Sequence, residues 1–259
     1  MKKDTLRMPF EVKRIRRSPG QSAGEHWREL ADDGVYDALF FFFMGLVFLV
    51  VSIIQQANIV FPVWLGVVLF ISGGAITAWK VCKIRRDIKT WKLGENGEQY
   101  VGQILESEMR PLGYDVFHDI QIEKAGRKMN IDHVLVGPNG VYLVETKTWR
   151  KPEKGSPEIE FKNGILYKAG AKVDDKPIRE VRGLAKEASR LFHDITGRNY
   201  YVKPILVFAG WYHRANMTHD SPILFLNEKR ISSFLPRHAP KTVPSKEDID
   251  LLKAKLATL

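Results

Sequence analysis

The longest uncharged stretch of the chain sets the strongest limit on its fold. The 42 positions from 38 to 79 contain no Asp, Glu, Lys, Arg or His, about twice the roughly 20 residues that one helix needs to cross a bilayer. A polar run at 55–58 divides the stretch, and Pro62 suits the first turn of a second helix. We therefore predict a transmembrane helical hairpin with spans at about 38–55 and 59–79. A buried hairpin in a soluble protein is the alternative, but residues 40–54 offer no polar face.

The basic residues around this stretch predict its orientation, because short flanks rich in lysine and arginine stay cytoplasmic. The exit of the second span carries Lys80, Lys83, Arg85, Arg86, Lys89 and Lys92. The segment before the first span carries Lys13, Arg14, Arg16 and Arg17, although acidic residues lie nearer the membrane. We expect a multi-pass protein of the inner (plasma) membrane with both termini cytoplasmic. Residues 1–37 form a cytoplasmic tail and residues 80–93 a basic juxtamembrane helix or linker in this interpretation.

Composition narrows the partners and the chemistry. The net charge of +10 favours a polyanion, either nucleic acid or the anionic face of a membrane. The single cysteine, Cys82, excludes an intramolecular disulfide and any zinc site built on paired thiolates. The chain contains no Gly-x-x-x-x-Gly-Lys-Ser/Thr phosphate loop, which argues against nucleotide-driven motors.

The rest of the sequence predicts a mixed α/β domain. Its helices are expected where apolar residues recur every three to four positions, and its strands where β-branched and aromatic residues cluster between turns. In chain order, the predicted elements are a helix from 97, strands at 114–122, 130–136 and 141–149, a hairpin at 159–168, a helix at 177–195 and a buried strand at 201–209. This order predicts a mixed β-sheet flanked by helices at 94–210, completed by a C-terminal extension at 211–259.

Two acidic residues fall opposite each other if the Gly-Pro-Asn-Gly turn at 137–140 contains an even number of residues. Opposed positions then sum to 277, as 137 and 140 do, so Asp132 faces Glu145 and Asn130 faces Lys147. Lys147, two residues beyond Glu145, points to the same face. The same sequence also suits a type I turn with a bulge, which opposes Asp132 with Thr146 and requires a second bulge to restore the site.

Opposed carboxylates repel each other at neutral pH, and a bound divalent cation removes that conflict. Oxygen ligands without paired thiols favour Mg²⁺ or Mn²⁺. A cation held by Asp132 and Glu145 would polarise a phosphodiester and help ionise water, while Lys147 stabilises negative charge on phosphorus or orients the nucleophile. The predicted chemistry is hydrolysis of a nucleic-acid backbone, with DNA expected ahead of RNA.

Two segments carry a resemblance to a known family. GENGEQYVGQIL at 94–105 and NIDHVLVGPNGVYLVETKTW at 130–149 resemble the NERD domain, a branch of the PD-(D/E)xK nuclease superfamily. The resemblance implies a restriction-endonuclease-like fold with Asp132 and Glu145 as metal ligands, Lys147 as the catalytic lysine and Glu98 as a helix carboxylate that assists at the metal. It continues more loosely to about residue 209 and departs at Glu180, where the family usually has a glutamine.

Weaker candidates and rival functions remain. Trp149 is expected to pack on the sheet rather than stack on a base, and His133 to lie on the face opposite Asp132. Arg179, Arg182, Lys186 and Arg190 form either a phosphate-tracking or a solvated helix face. The leading hypothesis is a membrane-anchored, metal-dependent nuclease. The rival hypothesis is a non-catalytic nucleic-acid or protein-binding module on the same fold. A third hypothesis is a subunit of a membrane complex in which the hairpin carries the function.

Overall fold

The computed structural model describes residues 17–54, 63–124, 127–151, 156–218, 220–238 and 243–258. The predicted turn at 55–58, Pro62 and the basic residues before Arg17 lie outside the described residues. The chain divides into two compact units. One comprises residues 21–96, and the other contains the described residues from Gly97 onward together with 17–20.

Two helices make up the first unit. Helix α1 spans Gln21–Ile54, and helix α2 spans Val63–Met109, of which the part up to Asn96 belongs to this unit. Phe42 contacts Phe70, and His26 lies edge-on to Trp91 with ring centroids 4.4 Å apart, so the helices pair antiparallel. Among the described residues one helix, over Gly66–Leu112, is long and apolar enough to cross a membrane, and α1 carries a shorter apolar segment, Phe42–Val51.

Both helices are longer than the sequence predicted. Helix α1 begins at Gln21, so the later part of the expected tail is helical. Helix α2 joins the second apolar span, the basic segment 80–93 and the helix expected from Gly97 into one element. A glycine inside a helix costs only about 1 kcal/mol relative to alanine, so Gly94 and Gly97 do not interrupt it. The helical stretch ends in a 3₁₀ turn, Arg110–Leu112, and Gly113 follows with a left-handed φ of 84°.

The central sheet of the second unit has five strands in the order β1-β2-β3-β7-β9. Its strands are β1 (Asp115–Lys124), β2 (Arg127–Gly137), β3 (Gly140–Lys147), β7 (Val202–Phe208) and β9 (Leu224–Phe225). Strands β1 to β3 are antiparallel, whereas β3, β7 and β9 run parallel to one another. The predicted mixed sheet, including the three consecutive strands and the buried fourth, is confirmed.

A second, smaller sheet has the order β6-β5-β4-β8. It consists of β4 (Glu158–Lys162), β5 (Ile165–Lys168), β6 (Ala171–Lys172) and β8 (Tyr212–Arg214). The predicted hairpin is β4–β5, and its turn residues Asn163 and Gly164 both have positive φ, as a type I′ turn requires.

Helices cover both faces of the central sheet. On one face, Val101 and Leu105 of α2 pack in a cluster with Leu135 and Val144. On the other, α3 (Lys176–Thr196) shares a core with β2, β3 and β7. Helix α4 (Ile231–Phe234) and helix α5 (Lys246–Leu256) complete the domain, and α5 packs beside α3. The predicted arrangement of a mixed sheet with flanking helices is thus confirmed.

Candidate active site

The register of β2 against β3 decides whether the predicted acidic pair exists. Gly137 pairs with Gly140, leaving Pro138 and Asn139 as a two-residue loop. Paired positions sum to 277 throughout the ladder, as far as His133 and Val144. The even-numbered turn is therefore correct, and the slipped register that opposes Asp132 with Thr146 is excluded.

Asp132 directly precedes the last ladder residue of β2, His133, and Glu145 directly follows the last ladder residue of β3, Val144. Both are buried, with only 8% and 6% of their surface exposed. The Thr146 backbone N–H donates to Asp132 Oδ2 at 2.7 Å. Because the Asp132 carboxylate reaches the backbone directly after Glu145, it lies at the carboxyl end of β3, where the Glu145 side chain also begins.

Lys147 joins the acidic pair through its ammonium group. Its Nζ donates to Glu145 Oε1 at 2.8 Å and lies 3.0 Å from Glu180 Oε2. Strand β7 fixes the backbone of this residue, because the Ala209 N–H donates to the Lys147 carbonyl at 3.0 Å. Glu180, which the sequence left without a role, therefore belongs to the site and comes from α3.

Glu98 approaches the site from α2. A methyl group at Gly97 would overlap the Thr148 hydroxyl, so the glycine allows the helix to pass directly beside the end of β3. The charge of Glu98 raises the pKa of Asp132, which places the two carboxylates within electrostatic reach of each other. All four predicted site residues thus converge at one end of the sheet.

The pKa values show that these carboxylates are in electrostatic conflict. Burial raises the pKa of Asp132 well above its usual range, and Glu145 and Glu98 raise it further. Burial also raises the pKa of Glu145, against the opposing effect of Lys147. Burial alone would lower the pKa of Lys147, but Glu145 and Glu180 hold it above its ordinary value. The Lys147 ammonium lies among three carboxylates, those of Asp132, Glu145 and Glu180, so negative charge exceeds positive charge around it.

The donor set fits a hard divalent cation. Glu145 Oε2 is buried and, within the described part of the chain, accepts no hydrogen bond. The available donors are carboxylate oxygens, which Mg²⁺ and Mn²⁺ prefer. Across the described ranges, no three His, Cys, Asp or Glu side chains are already grouped as ligands around a common point. The Lys147 ammonium lies 2.8 Å from one oxygen of Glu145 and 3.0 Å from one oxygen of Glu180.

The histidines lie away from this site. His133 points to the opposite face of β2, as predicted, and its Nδ1 lies 2.9 Å from His118 Nδ1. The other ring nitrogen of His118 is 2.9 Å from Glu106 Oε1. Burial lowers the pKa of His133 well below its usual range, so its ring is neutral. His213 stacks on Phe225, and burial lowers its pKa to about 4.

Trp149 and Arg179, the other candidates from the sequence, make packing and ion-pair contacts within the fold. Trp149 packs on Phe208, with ring centroids 4.4 Å apart, and Arg179 pairs with Asp175. The sequence contains one Gly-x-Ser-x-Gly pattern, at 20–24. A nucleophile elbow follows a strand, whereas this pattern lies at the beginning of α1, and no described residue before it is in a strand.

The fold and the site define a mixed α/β domain with carboxylates and a lysine at the carboxyl end of its central strand. Residues 93–209 of this chain match the model of NERD, the nuclease-related domain, which confirms the resemblance to that domain. An uncharacterised protein of Bacillus anthracis is 33% identical over 87 residues, a match that covers 33% of this chain and 40% of that protein.

A solved structure gives a more distant match. The crystal structure of protein VC1899 from Vibrio cholerae aligns with a TM-score of 0.28 at 13% identity, over 94% of this chain and 58% of that chain. A similarity at this level carries no argument about fold or activity. The matches cover 40% of the Bacillus anthracis protein and 58% of the Vibrio cholerae chain, which is less than two thirds of each.

Proposed function

We propose that the chain is a divalent-metal-dependent nuclease of the PD-(D/E)xK type that hydrolyses phosphodiester bonds of nucleic acid. The observation that carries the proposal is the convergence of buried Asp132 and Glu145 with Lys147 inside the segment that matches the nuclease-related domain. Buried carboxylates with raised pKa values beside a lysine are typical of catalytic and binding sites.

Each residue of the site has a role in this proposal. Asp132 and Glu145 would hold Mg²⁺ or Mn²⁺, with Glu98 supporting them from α2. When bound, the cation supplies positive charge beside the scissile phosphate. Lys147 directs its ammonium at the charge that develops on the phosphate oxygens. Glu180, 3.0 Å from Lys147 Nζ, positions that ammonium from the side of α3.

Membrane anchoring is the second part of the proposal. Its support is the uncharged stretch 38–79 and the exposed apolar side chains of α1, such as Phe40 and Ile54. The basic run at 80–92 supports a position of the nuclease-related domain on the cytosolic face of the inner membrane. Alkaline carbonate strips peripheral proteins from membranes, so the full-length chain is expected to stay in the membrane pellet after this wash. Recovery in the supernatant would exclude an integral hairpin.

The catalytic proposal is tested with the full-length chain in detergent. Labelled DNA and RNA, single- and double-stranded, are incubated with Mg²⁺, Mn²⁺ or EDTA. We expect strand cleavage with Mg²⁺ or Mn²⁺ and none with EDTA, because EDTA removes the cation from the two carboxylates. Cleavage that proceeds equally in EDTA would contradict metal dependence.

One observation favours a second function. The Lys147 ammonium is already engaged by Glu145 at 2.8 Å and by Glu180 at 3.0 Å, which is also what a purely structural ion-pair network would show. In that case the domain would bind nucleic acid or a protein at the membrane without cutting. Nucleic-acid binding without cleavage under any of the metal conditions would support this binding module over the nuclease.

A further inference from the structure

A cavity of about 610 Å³ lies beyond the carboxyl ends of three neighbouring parallel strands. Its lining includes Lys151, which follows β3, the segment 210–212, which follows β7, and the segment 227–230, which follows β9. Ligands of open α/β sheets bind in the crevice at these strand ends. The volume is within the range of about 300–1,000 Å³ that small-molecule pockets have, enough for a nucleotide.

The lining is rich in positive charge. Lys151, Lys229 and Arg230 contribute three cations, and Glu228 contributes one carboxylate. Among the described residues, none of the three cations is in a salt bridge. Cations that no carboxylate neutralises are available to phosphate groups. Glu228 is buried and accepts a hydrogen bond from the Tyr100 hydroxyl. Its one carboxylate offsets only part of the charge of the three cations, so the lining keeps an excess of positive charge.

Two tyrosines supply aromatic surface at the same cavity. Tyr212 is 76% exposed and Tyr100 is 39% exposed. An aromatic ring exposed to this extent contributes little to the core, but it offers a face on which a nucleobase can stack. Exposed rings interleaved with unneutralised cations are the combination that single-stranded nucleic acid requires, since each nucleotide brings one base and one phosphate.

The cavity is adjacent to the candidate active site. Lys147 pairs with Phe208 in the β3–β7 ladder, and the cavity residues Gly210 and Trp211 come two and three positions after Phe208. Trp211 Nε1 donates to the Trp149 carbonyl at 3.0 Å, which ties the loop after β7 to the loop after β3. A nucleic-acid strand whose phosphate lies at Lys147 would therefore place a neighbouring nucleotide at this cavity.

We propose that the cavity binds an unpaired nucleotide next to the scissile phosphate, so that the substrate is single-stranded nucleic acid. The base stacks on Tyr212, and the adjoining phosphate lies against Lys151, Lys229 and Arg230. A base inside a duplex is stacked on its neighbours and must be extruded, at a cost of a few kcal/mol, before a protein ring can stack on it. The inference rests on the proposed nuclease function, since it names the substrate of that site.

Fluorescence anisotropy tests the proposal with the full-length chain in detergent and EDTA, where cleavage does not interfere. The probes are a labelled single-stranded DNA, a single-stranded RNA and a duplex of equal length. We expect at least one single strand to bind about ten-fold more tightly than the duplex. Tyr212→Ala should weaken single-strand binding by about ten-fold. Tyr201→Ala is the matched control, because Tyr201 is also exposed, at 53%, but precedes β7.

Charge is tested separately through salt dependence. For single strands, each lost phosphate contact reduces the slope of log K against log salt by about 0.7. We expect this reduction for Lys229→Gln and for Arg230→Gln, but not for Lys246→Gln, an exposed control at the beginning of α5. Equal or tighter binding of the duplex, or unchanged binding by Tyr212→Ala, would overturn the proposal. Metal-dependent cleavage of a duplex would leave the nuclease function intact while excluding this subsite.

Discussion

Replacing Glu145 with glutamine is expected to lower the rate of metal-dependent cleavage by roughly 10³-fold. Glutamine has nearly the same size but no charge, so the proposed cation would lose one of its two buried anionic ligands. Lys147 also loses the carboxylate that its Nζ contacts at 2.8 Å. The measurement is the single-turnover rate with saturating Mg²⁺ or Mn²⁺, on whichever nucleic acid the wild-type chain cleaves.

The control for this variant is Glu123→Gln, an exposed glutamate on β1. It makes the same chemical change on a strand of the same sheet, and we expect its rate to equal that of the wild-type chain. Circular dichroism should show that both variants are folded. If Glu145→Gln cleaves within about two-fold of the wild-type rate, the carboxylate is not a ligand, because losing one good stabilising group costs about 10² or more.

Replacing Asp132 with asparagine is expected to stabilise the fold in EDTA at neutral pH. Burial, Glu145 and Glu98 raise the pKa of Asp132, so the folded state holds the proton more tightly than the unfolded state. The proton on Asp132 therefore stabilises the folded state, and this stabilisation is fully present below the unfolded pKa of about 3.9. It is lost as the pH rises through the folded value. Asparagine is neutral at every pH and can still accept the Thr146 N–H at its side-chain oxygen.

The expected gain is on the order of 1 to 3 kcal/mol, or a rise in melting temperature of roughly 2 to 8 °C. The gain should shrink as the pH falls towards the unfolded pKa. It should reverse when Mn²⁺ is added, because a cation held by the proposed site would bind the Asp132 carboxylate more tightly than a neutral asparagine. The difference in melting temperature between the two proteins is measured by thermal unfolding from pH 4 to 8, with and without Mn²⁺. Asp250→Asn, on an exposed position of α5, should change neither quantity. A destabilised Asp132→Asn in EDTA at pH 7 would show that the carboxylate is not under strain.

The central part of the site was predictable because short-range rules determine it. A two-residue turn at Pro138-Asn139 fixes the register of β2 against β3. Strict alternation along each strand then places Asp132, Glu145 and Lys147 on one face. No tertiary information is needed for this step. The same alternation correctly assigned His133 to the opposite face.

The rest of the site depends on contacts that sequence patterns do not encode. Glu180 lies on α3, and only the packing of α3 against β3 and β7 brings it to Lys147. Strand β9 contains two residues, Leu224–Phe225, too few to show any periodicity. The cavity residues that follow it were therefore not recognisable. The single helix α2 was also not expected, because two glycines mark a boundary in sequence but cost too little to break a helix that tertiary packing supports.

The most direct test of the shared cation is Mn²⁺ binding measured by isothermal titration calorimetry on the full-length chain. The wild-type chain should bind a single Mn²⁺, and Asp132→Asn and Glu145→Gln should each weaken that binding by at least about ten-fold. Glu123→Gln should bind as the wild-type chain does. Absence of binding by the wild-type chain, or equal affinity in all four proteins, would contradict the claim that Asp132 and Glu145 hold one divalent cation between them.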